Sequence, residues 1–154
     1  MTTARSAGLL LFRRTGQGVE VLLGHMGGPF FARRDAGAWT VPKGEYGPDE
    51  PAWEAARREF EEELGLPPPE GEAVPLGEVR QSGGKVVTAW AVEGDLDPAS
   101  VVPGTFTMEW PPRSGRTREF PELDRVAWFP PERARELIVS AQAAFLDRLT
   151  EHSL

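Results

Sequence analysis

The sequence predicts an α/β domain, with helices packed on a mixed β-sheet, on three observations. Short apolar, partly β-branched runs recur along the chain, and two stretches with helical spacing sit among them. Glycine and proline, 17 and 15 of the 154 residues, punctuate these runs with turn signals. A chain of this length is the usual size of one domain and removes about two-thirds of its unfolded surface from water. With no internal repeat and no low-complexity linker, residues 1–154 are read as a single domain.

In chain order, residues 8–13 and 19–24 read as two strands of a hairpin around the Thr15-Gly16-Gln17-Gly18 turn. Residues 27–37 are glycine-rich and basic and read as a surface loop, followed by a short extended segment at 39–42. A helix is predicted over 50–64, with Asp49 as its cap, Pro51 in the first turn and Gly65 and Pro67 ending it. After the prolines at 67–69, strands are expected at 74–79, 86–92, 105–110 and 126–129. Residues 131–139 and 141–149 then form one C-terminal helix, broken or continuous, whose apolar face packs on the sheet.

Composition excludes several chemistries. Cysteine is absent, which removes disulfides, thiolate nucleophiles and cysteine-ligated metals. A formal charge of −7 argues against a nonspecific nucleic-acid binder, which needs a basic face. No segment approaches the roughly 18 to 20 apolar residues of a membrane-spanning helix, and no secretory signal opens the chain. The expectation is a cytoplasmic protein without nucleic-acid or membrane partners, acting as a monomer or homodimer.

Within the predicted helix, Trp53, Ala56, Phe60 and Leu64 share one face and pack on the sheet. Glu59, Glu62 and Glu63 stand at i, i+3 and i+4, so three carboxylates crowd the stripe beside it. Like charges at this spacing cost a few tenths of a kcal/mol each. The helix dipole adds roughly 0.3 to 1 kcal/mol against anions in the last turns. A solvated acidic face explains Glu54 and Glu61. It does not explain acids at the unfavourable helix end beside the buried stripe, whereas a hard divalent cation with oxygen ligands does. Magnesium is favoured, with manganese as the alternative.

Residues 44–66, GEYGPDEPAWEAARREFEEELGL, resemble the Nudix box, Gly-x5-Glu-x7-Arg-Glu-apolar-x-Glu-Glu-x-Gly-apolar. Every specified position matches: Gly44, Glu50, Arg58, Glu59, Phe60, Glu62, Glu63, Gly65 and Leu66. The resemblance implies an α/β/α sandwich with a mixed sheet. It also implies divalent-cation-dependent hydrolysis of a phosphoanhydride bond in a nucleoside diphosphate-X substrate. In the family, Glu59, Glu62 and Glu63 bind metal with the Gly44 carbonyl, Arg58 orients the carboxylates, and Glu50 braces the loop. Either Glu59 or a loop glutamate is the general base.

Outside the box, Glu122 resembles the extra metal-binding glutamate of diadenosine polyphosphate hydrolases, with Glu109 and Glu119 competing for the role. Lys43, in the segment Trp39-Thr-Val-Pro-Lys-Gly-Glu45, is a candidate to neutralise a substrate phosphate, although a surface lysine there is equally ordinary. Arg33, Arg34, Arg80 and Lys85 are further phosphate candidates, and Trp39, Phe31 and Trp110 are candidates to stack on a base. Such aromatics more often belong to a core. His25 and His152 lack a paired-histidine motif and are assigned nothing.

The segment before the box places dinucleoside polyphosphates ahead among substrates. Nucleoside triphosphates and ADP-ribose stay open, because the loops set the leaving group. A reading of another class, a noncatalytic nucleotide sensor on the same fold, is opposed by the intact Glu59, Glu62 and Glu63. A diphosphate isomerase is opposed by the absence of cysteine.

Overall fold

A computed structural model describes residues 3–152. Strands β1 (Arg5–Thr15) and β2 (Gly18–Met26) form the expected hairpin, longer at each end than the apolar pattern indicates. The chain continues through β3 (Trp39–Thr40) and β4 (Lys43–Glu45) into helix α1 (Ala52–Leu64). Strands β5 (Ala73–Arg80) and β6 (Val86–Glu93) follow, then β7 (Thr105–Glu109), β8 (Thr117–Pro121) and β9 (Leu123–Phe129). Helices α2 (Pro131–Leu137) and α3 (Ala143–Glu151) close the fold, so the C-terminal helical stretch is broken, at Ile138.

The main sheet runs β3-β2-β1-β6-β5, with β4 also paired to β1 and β9 to β2. It is mixed because β1 and β6 pair in parallel, Arg5 opposite Val86 through Phe12 opposite Glu93, while the other pairs are antiparallel. Strand β1 is buried from Ser6 to Phe12, so its two sets of alternating side chains face two different cores. Leu10 and Phe12 join Val87, Phe145, Leu146 and Leu149 under α2 and α3. Leu9 and Leu11 join Phe60 and Leu64 of α1 on the opposite face. Helices therefore cover both faces, the expected α/β/α arrangement. No helix among the described residues is long and apolar enough to cross a membrane.

Three expectations change. Helix α1 starts at Ala52 rather than Glu50, and Asp49 is not its cap: Pro51 takes the cap position, accepts the first helical bond from Ala55, and supplies no side-chain cap. A proline disfavours helical backbone in the residue before it, which keeps Glu50 outside the helix. The segment entering the box is a strand, β4, bound to β1 with Ser6 opposite Glu45. Residues 105–110 do not join the main sheet, since β7 pairs only with β8 as a separate two-stranded unit.

Candidate active site

A cavity of about 630 Å³ opens where β4, α1 and the β7–β8 unit meet. Lys43, Glu45, Glu59, Glu62, Glu63, Lys85 and Glu122 supply its charged wall around the Gly44 backbone, and Met26, Phe31, Phe106 and Leu123 an apolar one. Sequence spacing alone puts the three helix glutamates together. The cross-sheet neighbours Lys85 and Glu122 join them through the β6 and β9 pairings.

Helix α1 presents the acids by rolling its apolar stripe onto the sheet. Ala55, Ala56, Phe60 and Leu64 are buried, and Glu63, one position from Leu64, is carried down with them. Its carboxylate accepts the Lys43 backbone N–H at 3.2 Å. Burial, opposed by the charge of Lys43, pushes the Glu63 carboxyl up to about 8. Burial also raises Glu59, against the lowering effect of its hydrogen bond from Arg58. Glu59 lies directly on Gly44, in the space a Cβ there would fill, so only glycine admits the carboxylate. Gly65 ends the helix in the left-handed region, φ 70°, with its N–H bonded to the Glu61 carbonyl.

Arg58 stands behind the acids rather than in the cavity lining. Its guanidinium donates two bonds of 2.8 Å to Glu50, one of 2.8 Å to Glu59, and longer ones of 3.2 and 3.3 Å to Glu62. The bonds to Glu50 hold Arg58 above, and Glu50 below, its ordinary pKa. Lys43 is lowered by burial first and by neighbouring Lys85 second.

Among the described residues, no three histidine, aspartate or glutamate side chains are already gathered for one metal ion. Glu62 is largely exposed and, with Glu59, leans toward Arg58. The donor set nonetheless suits a hard divalent cation. It is all oxygen, and burial raises Glu63 and Glu59 despite Lys43 and Arg58, so a cation would favour their ionised forms. Rotation of Glu62 away from Arg58 would complete it.

Other sequence candidates lie elsewhere. Trp39 is 4% exposed, its indole N–H bonded to Asp35 and its ring enclosed by His25, Phe129 and Arg125, so no face is open to a base. Arg33 and Arg34 are exposed on the loop after β2, outside the cavity lining. Arg80 bonds the Gly84 carbonyl. Glu109 accepts the backbone N–H groups of Arg113 and Gly115, and Glu119 is exposed on β8. Trp110 packs edge-on against Phe30, outside the cavity. His25 is buried between Asp124 and the Arg34 carbonyl, and His152 is exposed at the end of α3.

Sequence reasoning missed Ser6, Thr40, Glu45 and Phe106, which also line the cavity. Glu45 was legible as a second acid beside Gly44. Phe106 was not, because its place depends on β7 leaving the main sheet.

The NUDIX domain family matches residues 2–149. The chain belongs to the Nudix family. It is a pyrophosphohydrolase of that family, and its box, read above from residues alone, supplies the acidic wall of the cavity. A comparison with curated protein sequences finds no match. Among solved structures, the Nudix fold here is similar to an Ap4A hydrolase of C. elegans in a binary complex. The TM-score is 0.68 at 22% identity, covering 96% of each chain. It is also similar to the NUDIX domain of Shewanella oneidensis NrtR complexed with ADP ribose, at TM-score 0.65 and 15% identity over 100% of this chain and 90% of that one. A Nudix hydrolase of M. smegmatis, RenU, is similar at TM-score 0.58 and 26% identity, covering 96% and 84%.

Proposed function

We propose that this Nudix protein hydrolyses a phosphoanhydride bond of a nucleoside diphosphate-X compound with a divalent cation, magnesium or manganese, and that dinucleoside polyphosphates are its preferred substrates. The observation that carries this reading is one cavity with five glutamates, two lysines and an aromatic wall. Those groups match the metal-bound pyrophosphate, the flanking phosphates and a nucleobase.

Glu59, Glu62, Glu63, the Gly44 carbonyl and Glu122 are the proposed metal ligands. When bound, the cation neutralises phosphate oxygens and acidifies a water molecule. Arg58 orients Glu59 and gathers Glu62 beside it through its fork of hydrogen bonds, itself fixed by Glu50, and the longer bonds to Glu62 are the ones given up when Glu62 turns to the metal. Lys43 and Lys85 offset the remaining phosphate charge, and Phe31 and Phe106 flank the base. Arg33 and Arg34 serve a substrate reaching beyond the cavity, while the enclosed Trp39 serves the fold. Water oxygen bonds to one phosphorus as its bridging P–O bond breaks. The leaving phosphate keeps that electron pair, and the water proton passes to Glu59 or Glu122. Preference for two nucleosides is supported by the sequence around Lys43 and by similarity of fold to the Ap4A hydrolase. ADP-ribose, bound in the NrtR complex, and nucleoside triphosphates are the competing substrates.

Hydrolysis of a panel of these compounds in oxygen-18 water with Mg2+, followed by mass spectrometry, gives the substrate and the attacked phosphorus together. Glu62→Gln is expected to lower kcat at least about 100-fold with the melting temperature unchanged or raised. Absence of turnover on the whole panel would overturn nucleoside diphosphate-X compounds as its substrates, and full activity of Glu62→Gln would remove Glu62 from the ligand set.

A further inference from the structure

Just outside the cavity mouth lies a second aromatic site that the chemistry above does not use. Phe31 lines the cavity, and its chain neighbour Phe30 points the other way, 58% exposed. Phe30 meets Trp110 edge-on, ring centroids 5.6 Å apart, and so joins the loop after β2 to the tip of the β7–β8 unit. The Trp110 backbone N–H bonds the Arg116 carbonyl at 2.9 Å, which sets Arg116 beside the pair, and Arg113 stands in the same turn. Arg33 and Arg34 follow Phe30 in its own loop, where the Arg34 N–H bonds the Phe31 carbonyl. Among the described residues, none of these four arginines forms an ion pair, whereas Arg13, Arg58 and Arg133 do. The one carboxylate within the turn, Glu109, is already held by two backbone N–H groups.

Phe30 keeps more than half of its surface in water despite its contact with Trp110, which costs solubility. In a chain of charge −7, four arginines without ion pairs, two in the loop of Phe30 and two in the turn after Trp110, concentrate positive charge in the two segments that the aromatic pair joins. Aromatic rings flanked by guanidinium groups are suited to a base with its phosphates. We propose that Phe30 and Trp110, with Arg33, Arg34, Arg113 and Arg116, form a second nucleoside site that holds the base of X while the first nucleoside occupies the cavity. The site rests on the dinucleoside reading above and gives it a location. Continuity with the cavity through the adjacent residues Phe30 and Phe31 favours one base joined by a phosphate chain. The overall acidity disfavours a long polynucleotide.

The test measures KM and kcat for diadenosine tetraphosphate and for adenosine tetraphosphate, which has the same phosphate count and no second base. Affinity for an uncleavable methylene-bridged diadenosine tetraphosphate is measured by calorimetry alongside. Phe30→Ala, a change at an exposed side chain, is expected to raise KM and weaken analogue binding about tenfold for the two-base compounds. Its kcat and its KM for adenosine tetraphosphate stay unchanged, and Phe30→Trp restores binding. Equal effects on both compounds, or no effect on analogue binding, would overturn the site. So would a larger loss for a 5′-triphosphorylated oligonucleotide than for the dinucleoside. If the wild-type protein hydrolyses neither compound, the proposed reaction fails, while the calorimetric comparison still decides the site.

Discussion

At Gly44 a hydrogen atom stands where any other residue would place a carbon, and the Glu59 carboxylate occupies the space thereby left open. Gly44→Ala must therefore displace Glu59 or open β4 from β1. We expect a loss of about 1 to 3 kcal/mol in stability and a fall in kcat at least as large as for Glu62→Gln, read by urea unfolding and by turnover. Near-normal kcat would show that the Glu59 position is not needed. The same residue illustrates what a motif conveys. The box fixes that position 44 is glycine and position 59 glutamate, whereas the reason, mutual contact across a strand-to-helix turn, appears only in three dimensions.

Among the elements, those with a strong local pattern were legible and those defined by a distant partner were not. Helix α1 carries its own periodicity, and only its start was misjudged, because the cap signal of Asp49 lost to the restriction that Pro51 places on Glu50. Strand β8 is exposed and charged, Thr117-Arg118-Glu119-Phe120-Pro121, without apolar alternation. It is a strand because β7 lies opposite, Phe106 against Phe120. The buried Gln142, between α2 and α3, had no signature either. Its side-chain oxygen accepts the Val41 N–H at 2.9 Å, and its amide donates to Thr40 and Gln81. It thus ties the segment before the box to the turn carrying Lys85. Gln142→Ala leaves the buried Val41 N–H without a partner, while Thr40 keeps its bond to the Val41 carbonyl, and should cost about 1 to 3 kcal/mol in urea unfolding. A loss under about 0.5 kcal/mol would mean that water replaces the amide.

For the whole molecule, the buried acids make stability depend on pH and on metal together. Glu63 has a folded-state pKa raised to about 8 against an ordinary value of 4.5. Its contribution is thus fully present below the unfolded value and is lost as pH rises through the folded one. Without metal, the melting temperature of the wild type relative to Glu63→Gln should fall between about pH 5 and pH 8 and then level off. A cation binding the ionised carboxylates reverses this, so added Mg2+ should raise the melting temperature more at pH 8 than at pH 6. A Mg2+ effect independent of pH across that window would place the ion away from Glu63. The α/β class was legible from the alternation of strands and helices, and the α/β/α layering followed from the resemblance of residues 44–66 to the Nudix box. The parallel β1–β6 pairing at its centre was not, since both strands read equally well in either direction.

That central pairing also governs how the chain is born. Strand β1 leaves the ribosome first, yet its parallel neighbour β6 comes after α1 and β5, and β2 waits for β9 almost at the end. The longest apolar strand therefore waits through much of synthesis with one edge open and only β2, β4 and α1 for cover. Assembly of the fold becomes a late event, since β9 must pair with β2 and α2 and α3 must then cover Leu10 and Phe12, and truncation before residues 123–129 leaves β2 without its outer strand and that face without its helices.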